Sequence, residues 1–146
     1  MRRLNLGAGF DPTDGYVRVD RAGTPDVRCD VRHLPFQPGA FEEIKAHHIL
    51  EHLPREALIP LVNSCWGLLG EAGRMEIEVP IFPSDAAMAD PTHVSFFVSR
   101  TFDYFLKDGS QEVHRRLYGI KPWRLLRRER LGYNDILQVA LERCPE

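Results

Sequence analysis

The most constraining feature of this chain is a close succession of short strand-like segments across residues 4–31. Leu4-Asn5-Leu6 runs into Gly7-Ala8-Gly9, Tyr16-Val17-Arg18-Val19-Asp20 alternates and ends on an acid, and Val27-Arg28-Cys29-Asp30-Val31 follows the same pattern. Such alternation predicts half-buried strands. The strands succeed one another so closely that no full helix fits between them. Two glycines directly after a strand let the chain turn sharply and bring backbone N–H groups close to a ligand.

Further on, Glu43-Ile44-Lys45-Ala46 reads as a fourth strand leading into His47-His48-Ile49-Leu50-Glu51-His52. Pro54 suits the first turn of a helix whose apolar face is Leu58, Leu61, Val62, Cys65, Leu68 and Leu69. Pro60 implies a kink, or a start nearer Ile59. Gly70 and Gly73 are expected to end this helix before a clear strand, Arg74–Pro80. A short helix is expected from Ser99, as N-cap, to Leu106. Trp123–Leu131 and Ile136–Glu142 read as an antiparallel hairpin turning at Gly132-Tyr133-Asn134-Asp135. The expected fold is therefore α/β, a reduced Rossmann-like sheet that is mostly parallel, with a C-terminal hairpin and several helices missing or shortened.

The 146 residues suit one domain, burying roughly two-thirds of the unfolded surface without metals or disulfides. A formal net charge of -2 gives no global attraction to nucleic acid or acidic membranes. No apolar run approaches the ~20 residues that span a bilayer, and the apolar start is cut off by Gly7, so it reads as a strand rather than a signal peptide. Cys29, Cys65 and Cys144 form no CxxC pair and read as reduced thiols of a cytoplasmic protein.

An acid at the end of the second strand, Asp20, can accept hydrogen bonds from both hydroxyls of a ribose. Asp30, one strand later, can take an adenine amino group. Either alone is more often a strand-end cap or turn former; a glycine loop and two acids at the carboxyl edge of successive strands together point to the edge where ligands sit in open α/β sheets. Pro12 stands where a third glycine of the dinucleotide pattern would be, and Asp20 follows the glycines too closely for the ~20-residue spacing of that pattern. A pyrophosphate needs the intervening helix N-terminus, whereas a sulfonium cofactor does not. The spacing favours S-adenosylmethionine over NAD.

Leu4–Gly9, Gly15–Asp20 and Asp30 followed by Leu34-Pro35-Phe36 together resemble the compact class I S-adenosylmethionine-dependent methyltransferases of the type 11-like kind. His48-Ile49-Leu50-Glu51-His52, Gly73–Pro80 and Asp90-Pro91-Thr92-His93 with Phe96-Phe97 extend the likeness over roughly the first three-quarters of the chain. The resemblance implies that Gly7, Ala8 and Gly9 line the methionine part of the cofactor. It further implies that Asp20 holds the ribose, Asp30 and Val31 the adenine, and that His48 lies near the sulfonium. Ala8 departs from the more usual Cys, and the helices around the first three strands are absent or reduced. A sheet face left bare in this way is expected to be apolar and to be covered by a second subunit, making a homodimer.

Methyl transfer needs alignment of nucleophile, methyl and sulfur, with a base only for a hydroxyl or protonated amine. His48, Glu51, His52 and His93 are the available groups, and His93 and His48 are the catalytic candidates. Each is equally read as a histidine bonded at a loop or strand junction. The resemblance places His93 in the acceptor-building loop, and such a base slightly favours O-methylation. No metal site is expected: His47, His48 and His52 lack the His-Glu-x-x-His order and any downstream ligand at zinc spacing. Phe96, Phe97, Phe102, Tyr104 and Phe105 wall a pocket or, more simply, form core. Arg124, Arg127, Arg128 and Arg130 read as a solvated edge rather than a nucleic-acid surface, and no Asn/Asp-Pro-Pro-Tyr/Phe follows the fourth strand to suggest DNA base methylation. The expected partner is a small-molecule, glycan or protein acceptor, with no membrane. The rival expectations are a cofactor-binding module without turnover, an NAD- or nucleotide-dependent enzyme, and a structural interaction protein.

Overall fold

The computed structural model describes residues 2–132 and 135–146. Seven strands form one sheet: β1 (Arg2–Leu6), β2 (Tyr16–Asp20), β3 (Val27–Arg28), β4 (Phe41–His47), β5 (Leu69–Pro80), β6 (Trp123–Leu131) and β7 (Ile136–Arg143). Their order is β3-β2-β1-β4-β5-β7-β6. β1 to β5 pair in parallel, and β7 inserts antiparallel between β5 and β6. Among the described residues three helices accompany them: α1 (Leu58–Leu68), α2 (Asp85–Met88) and α3 (Glu112–Leu117). Shorter 3-10 turns cover Leu50–His52, Arg55–Ala57 and Ser99–Phe105.

The short crossover after β2 is possible because β3 begins opposite the end of β2, with Val19 paired to Val27 and Asp20 to Arg28. Residues 21–26 therefore retrace almost none of the strand, and a helix is not needed. Asp26 closes the loop: its carboxylate accepts from the Arg18 backbone N–H at 2.9 Å and from the Arg18 guanidinium at 2.9 and 3.1 Å.

The register exposes the logic of the sheet. The row Leu125–Leu141–Met75–Ile44–Leu4–Val17 runs across six strands on one face. The next row, Arg127–Ala140–Glu76–Lys45–Asn5–Arg18, lies on the other, because successive side chains alternate. The apolar row packs in one core with Leu58, Leu61, Val62, Cys65 and Leu68 of α1 and with Phe97, Phe102 and Phe105. α1 and the 3-10 turn Ser99–Phe105 pack on that face. The expectation of a bare apolar face fails here: the opposite face is a lattice of Arg127–Glu76, Lys45–Asp11, His47–Glu76 and Gln138–Glu78 contacts at 2.8–3.2 Å. The physical reason given for a homodimer falls with it.

Several local expectations are also corrected. The alternative of a start near Ile59 holds: α1 begins at Leu58 with Pro60 in its first turn, where a missing N–H costs nothing. Gly70 and Gly73 do not end it; they lie inside β5, which starts directly at Leu69 and carries an irregularity where its pairing jumps from Leu69 to Arg74. Val98, not Ser99, is the cap of the following 3-10 turn, and its N–H donates to Thr101 Oγ1 at 3.1 Å. The hairpin is present, with its turn residues 133 and 134 outside the described residues. α3 has no counterpart in the sequence reading. Its Glu112 holds Arg115 at 2.7 Å and Arg116 at 2.8 Å.

Candidate functional site

Beyond the carboxyl ends of β1 and β2, the chain is folded around one carboxylate. Asp20 Oδ2 accepts the Gly9 N–H at 2.6 Å and Oδ1 accepts the Ala22 N–H at 3.0 Å. An ionised carboxylate has about four lone-pair sites, so two are left for a ligand. Gly7 (φ +65°) and Gly9 (φ +54°) take left-handed conformations that only glycine adopts freely. A Cβ on Gly7 would stand 2.3 Å from Ile49 Cδ1, and one on Gly23 2.1 Å from the Gly9 carbonyl oxygen. Glycine is thus required by space as well as by φ.

A groove of about 190 Å³ opens beside this loop, lined by Asp20, Asp30, Val31, Ile49, His52 and Leu53, with Arg21 and Arg32 at its rim. Asp20, Asp30 and Val31 are accordingly brought together, and the Gly7-Ala8-Gly9 turn borders them through Asp20 and Ile49. Asp30 is not free, however. Its carboxylate accepts the Arg32 backbone N–H at 2.9 Å and is clasped by the Arg32 guanidinium at 2.7 Å, which holds it well below the usual carboxylate range. Hydrogen bonding to an adenine amino group there requires Arg32 to yield; Val31, buried at the groove wall, keeps its apolar contact regardless.

His48 sits in a left-handed conformation (φ +56°) where β4 breaks toward the 3-10 turn. Its ring faces Glu51 (3.7 Å) and Glu78 (3.4 Å), outside the lining of the groove. The Glu51 carboxylate beside it raises the His48 pKa above its ordinary value, against the effect of burial. His47 is drawn to the open face by Glu76 and Glu78.

The loop carrying His93 is docked onto the turn after β4. Val94 and Ser95 N–H groups donate to the Glu51 carbonyl at 2.8 and 3.1 Å, Ser95 Oγ donates to the Leu53 carbonyl, and Arg55 donates to the Phe96 carbonyl. This brings the His93 ring edge-on against His52, with centroids 4.7 Å apart. His93 is thus one ring removed from the groove, while His52 lines it. Of the aromatic residues, Phe97, Phe102 and Phe105 are core. The arginine-rich strand β6 is the sheet edge, and its Arg124, Arg127, Arg128 and Arg130 pair with Glu142, Glu76, Asp103 and Asp135.

The sequence reading passed over Ile49, Leu53 and Gly23 as site residues. Gly23 had a visible signal, a glycine three residues after Asp20 in the turn that follows its strand; the other two look like ordinary apolar positions.

The strand order with an antiparallel β7 and this edge groove can be set against solved structures. A SAM-dependent methyltransferase from Archaeoglobus fulgidus superposes with a TM-score of 0.67 at 16% identity, over 97% of this chain and 86% of that one. The chain has the class I methyltransferase fold. The 1,6-didemethyltoxoflavin-N1-methyltransferase of Burkholderia thailandensis, solved with S-adenosylhomocysteine and 1,6-didemethyltoxoflavin, gives 0.69 at 17% identity over 98% and 71%. The [4+2]-cyclase SpnF gives 0.68 at 11% identity over 97% and 74%. No protein-family model and no curated protein sequence matches the chain. At these identities the likeness establishes the methyltransferase fold.

Proposed function

We propose that this chain binds S-adenosylmethionine and transfers its methyl group to a small-molecule, glycan or protein acceptor. The observation that carries the reading is Asp20, poised at the end of β2 with two backbone N–H groups already bound and its remaining lone pairs beside the groove. It is the group to accept both ribose hydroxyls. Val31, Ile49 and Leu53 supply apolar walls for an adenine, and Asp30 contributes once Arg32 shifts. Gly7, Ala8 and Gly9 carry the methionine end, with His48 toward the sulfonium side of β4.

Transfer breaks the methyl–sulfur bond and forms a bond from the acceptor to the methyl carbon, leaving S-adenosylhomocysteine. The protein aligns the three atoms and excludes water. His93 Nδ1–H donates to the Ala87 carbonyl at 2.8 Å, so Nε2 carries the lone pair suited to take a proton from a hydroxyl acceptor. This supports O-methylation as the slightly preferred outcome. No described helix is long and apolar enough to cross a membrane. The free thiols Cys29, Cys65 and Cys144 fit the proposed reducing, cytoplasmic setting.

Calorimetric titration with S-adenosylhomocysteine, with NAD as control, tests the reading. Micromolar binding that Asp20→Ala abolishes supports it. Absence of binding by the folded protein sinks it, and NAD binding in its place would make the chain a nucleotide enzyme. A protein that binds the cofactor but methylates no hydroxyl, amine or protein acceptor is the binding module without turnover.

A further inference from the structure

Next to the cofactor groove, a buried carboxylate oxygen has nothing to bind. Glu51 is 2% exposed, and its Oε2 has no hydrogen-bond partner among the described residues. Its Oε1 faces His48 Nδ1 at 3.7 Å, too far for a hydrogen bond. One ligand atom each from Glu51, His52 and His93 lies within 4.8 Å of the others. We propose that Glu51, His52 and His93 hold a divalent transition-metal ion.

The hydrogen bonds behind the two rings set both histidines up as ligands. The His93 Nδ1–H donates to the Ala87 carbonyl at 2.8 Å, which in the neutral ring places the lone pair on Nε2. Thr92 spends its hydroxyl hydrogen on Asp90 Oδ1 at 2.7 Å. Its oxygen therefore accepts from His52 Nδ1–H at 3.0 Å, and His52 Nε2 is likewise left with a lone pair. Outer partners of this kind, a carbonyl for one ring and a carboxylate-anchored hydroxyl for the other, fix tautomer and direction in metal-binding histidines. The third group is a buried carboxylate whose Oε2 has no partner among the described residues and whose nearest basic side chain, His48, stands 3.7 Å from Oε1, so a cation would satisfy it.

Ligand atoms ~2.1 Å from a shared tetrahedral ion stand ~3.4 Å apart, so the set closes by roughly an ångström on binding. The exposed His52 ring is the part free to move. Asp90 Oδ2, 3.6 Å from His93 Nε2, stands near a fourth position, or that position takes water or an acceptor oxygen. Two imidazoles and one carboxylate suit zinc, manganese, iron or cobalt over magnesium or calcium. The expectation of no metal rested on His47, His48 and His52; Glu76 and Glu78 draw His47 away, and a loop distant in sequence supplies His93 instead.

A bound ion would take the His93 Nε2 lone pair that a base for O-methylation needs, so the metal site replaces that role; metal binding itself is read without cofactor. The full-length protein, stripped with EDTA, is titrated with Zn2+, Mn2+ and, as the oxygen-preferring control, Mg2+. Expected is one Zn2+ or Mn2+ per chain, with His93→Ala and His52→Ala each weakening binding at least tenfold and His47→Ala leaving it unchanged. Co2+ loading should give d–d absorption that His93→Ala abolishes. Glu51→Gln is included with circular dichroism to check folding; if it does not fold, the two histidine variants decide. No stoichiometric binding, equal binding by His93→Ala and wild type, or preference for Mg2+ overturns the site. S-adenosylhomocysteine titration of the EDTA-treated protein separates loss of the metal from loss of the cofactor reading.

Discussion

The two faces of the sheet obey different rules. On one, the row Leu125–Leu141–Met75–Ile44–Leu4–Val17 meets α1 and the phenylalanines, and its four central members are fully buried. On the other, Arg127, Glu76, Lys45 and Arg18, with the buried Asn5 between them, are held by one another or by Asp11 and Asp26. A doubly wound sheet is ordinarily covered on both faces, and its strands read as continuous apolar runs. This one alternates, as an antiparallel sheet exposed on one side would. Shortening the crossovers therefore did not leave a hydrophobic scar: the pleat carries charge wherever a helix would have sat.

The comparison breaks most visibly on the packed face. Ile44→Ala removes a fully buried side chain from the middle of the apolar row, and a loss of about 2–5 kcal/mol in stability is expected from denaturant unfolding. An effect below ~1 kcal/mol would mean the helical layer is not bearing on the sheet. Gly23→Ala comes next, because its Cβ would meet the Gly9 carbonyl at 2.1 Å and the residue has φ +73°. A cost of about 1–3 kcal/mol is expected. Cofactor affinity should fall with it, since the displaced Gly9 is bound to Asp20.

On the open face the same size of side-chain change should matter far less. Glu76→Ala releases Arg127 and His47, both partly exposed, and exposed pairs of this kind contribute about 0–1 kcal/mol. The difference from wild type should shrink further in molar salt. A loss comparable with that of Ile44→Ala would show that the open face is itself buried, against a partner, and would restore the subunit expected from the missing helices.

This asymmetry also explains what was legible in advance. The strands were readable because period-two alternation is local, and Tyr16–Asp20 and the hairpin partners emerged with nearly their observed limits. The identity of the outward face was equally present in Arg18, Lys45, Glu76 and Glu78, but the argument from missing helices assumed apolar strands of the ordinary parallel kind. The lining of the groove was legible at Asp20, which ends β2, and at Asp30 and Val31, which lie two and three residues beyond β3 because that strand stops at Arg28 rather than running through Val31. It was illegible where contacts span distance: nothing local to Asp90-Pro91-Thr92-His93 reveals that Glu51's carbonyl docks the loop beside His52. Nor does Asp30 announce that Arg32, two residues on, will occupy it.

The smallest expected effect concerns acid. Asp26 and Asp11 anchor the two short loops to the open face, and both carboxyls are lowered from 3.8 to about 2, Asp26 by the Arg18 guanidinium and Asp11 chiefly by the Thr13 hydroxyl. A carboxyl whose folded pKa lies below its unfolded value binds fewer protons in the folded state. Its contribution is therefore present above the unfolded pKa and is lost as pH falls from about 4 toward 2. Asp26 is exposed, so solvent screens most of this, and Asp26→Asn should lower stability only slightly at pH 7. The discriminating measurement is the slope. Between pH 4 and pH 2 the variant's urea midpoint should fall less steeply than that of wild type, while Ile44→Ala should run parallel to it. If Asp26→Asn also runs parallel, Asp26 is not holding the crossover against the charged face, and the β2–β3 loop is fixed by its backbone bonds alone.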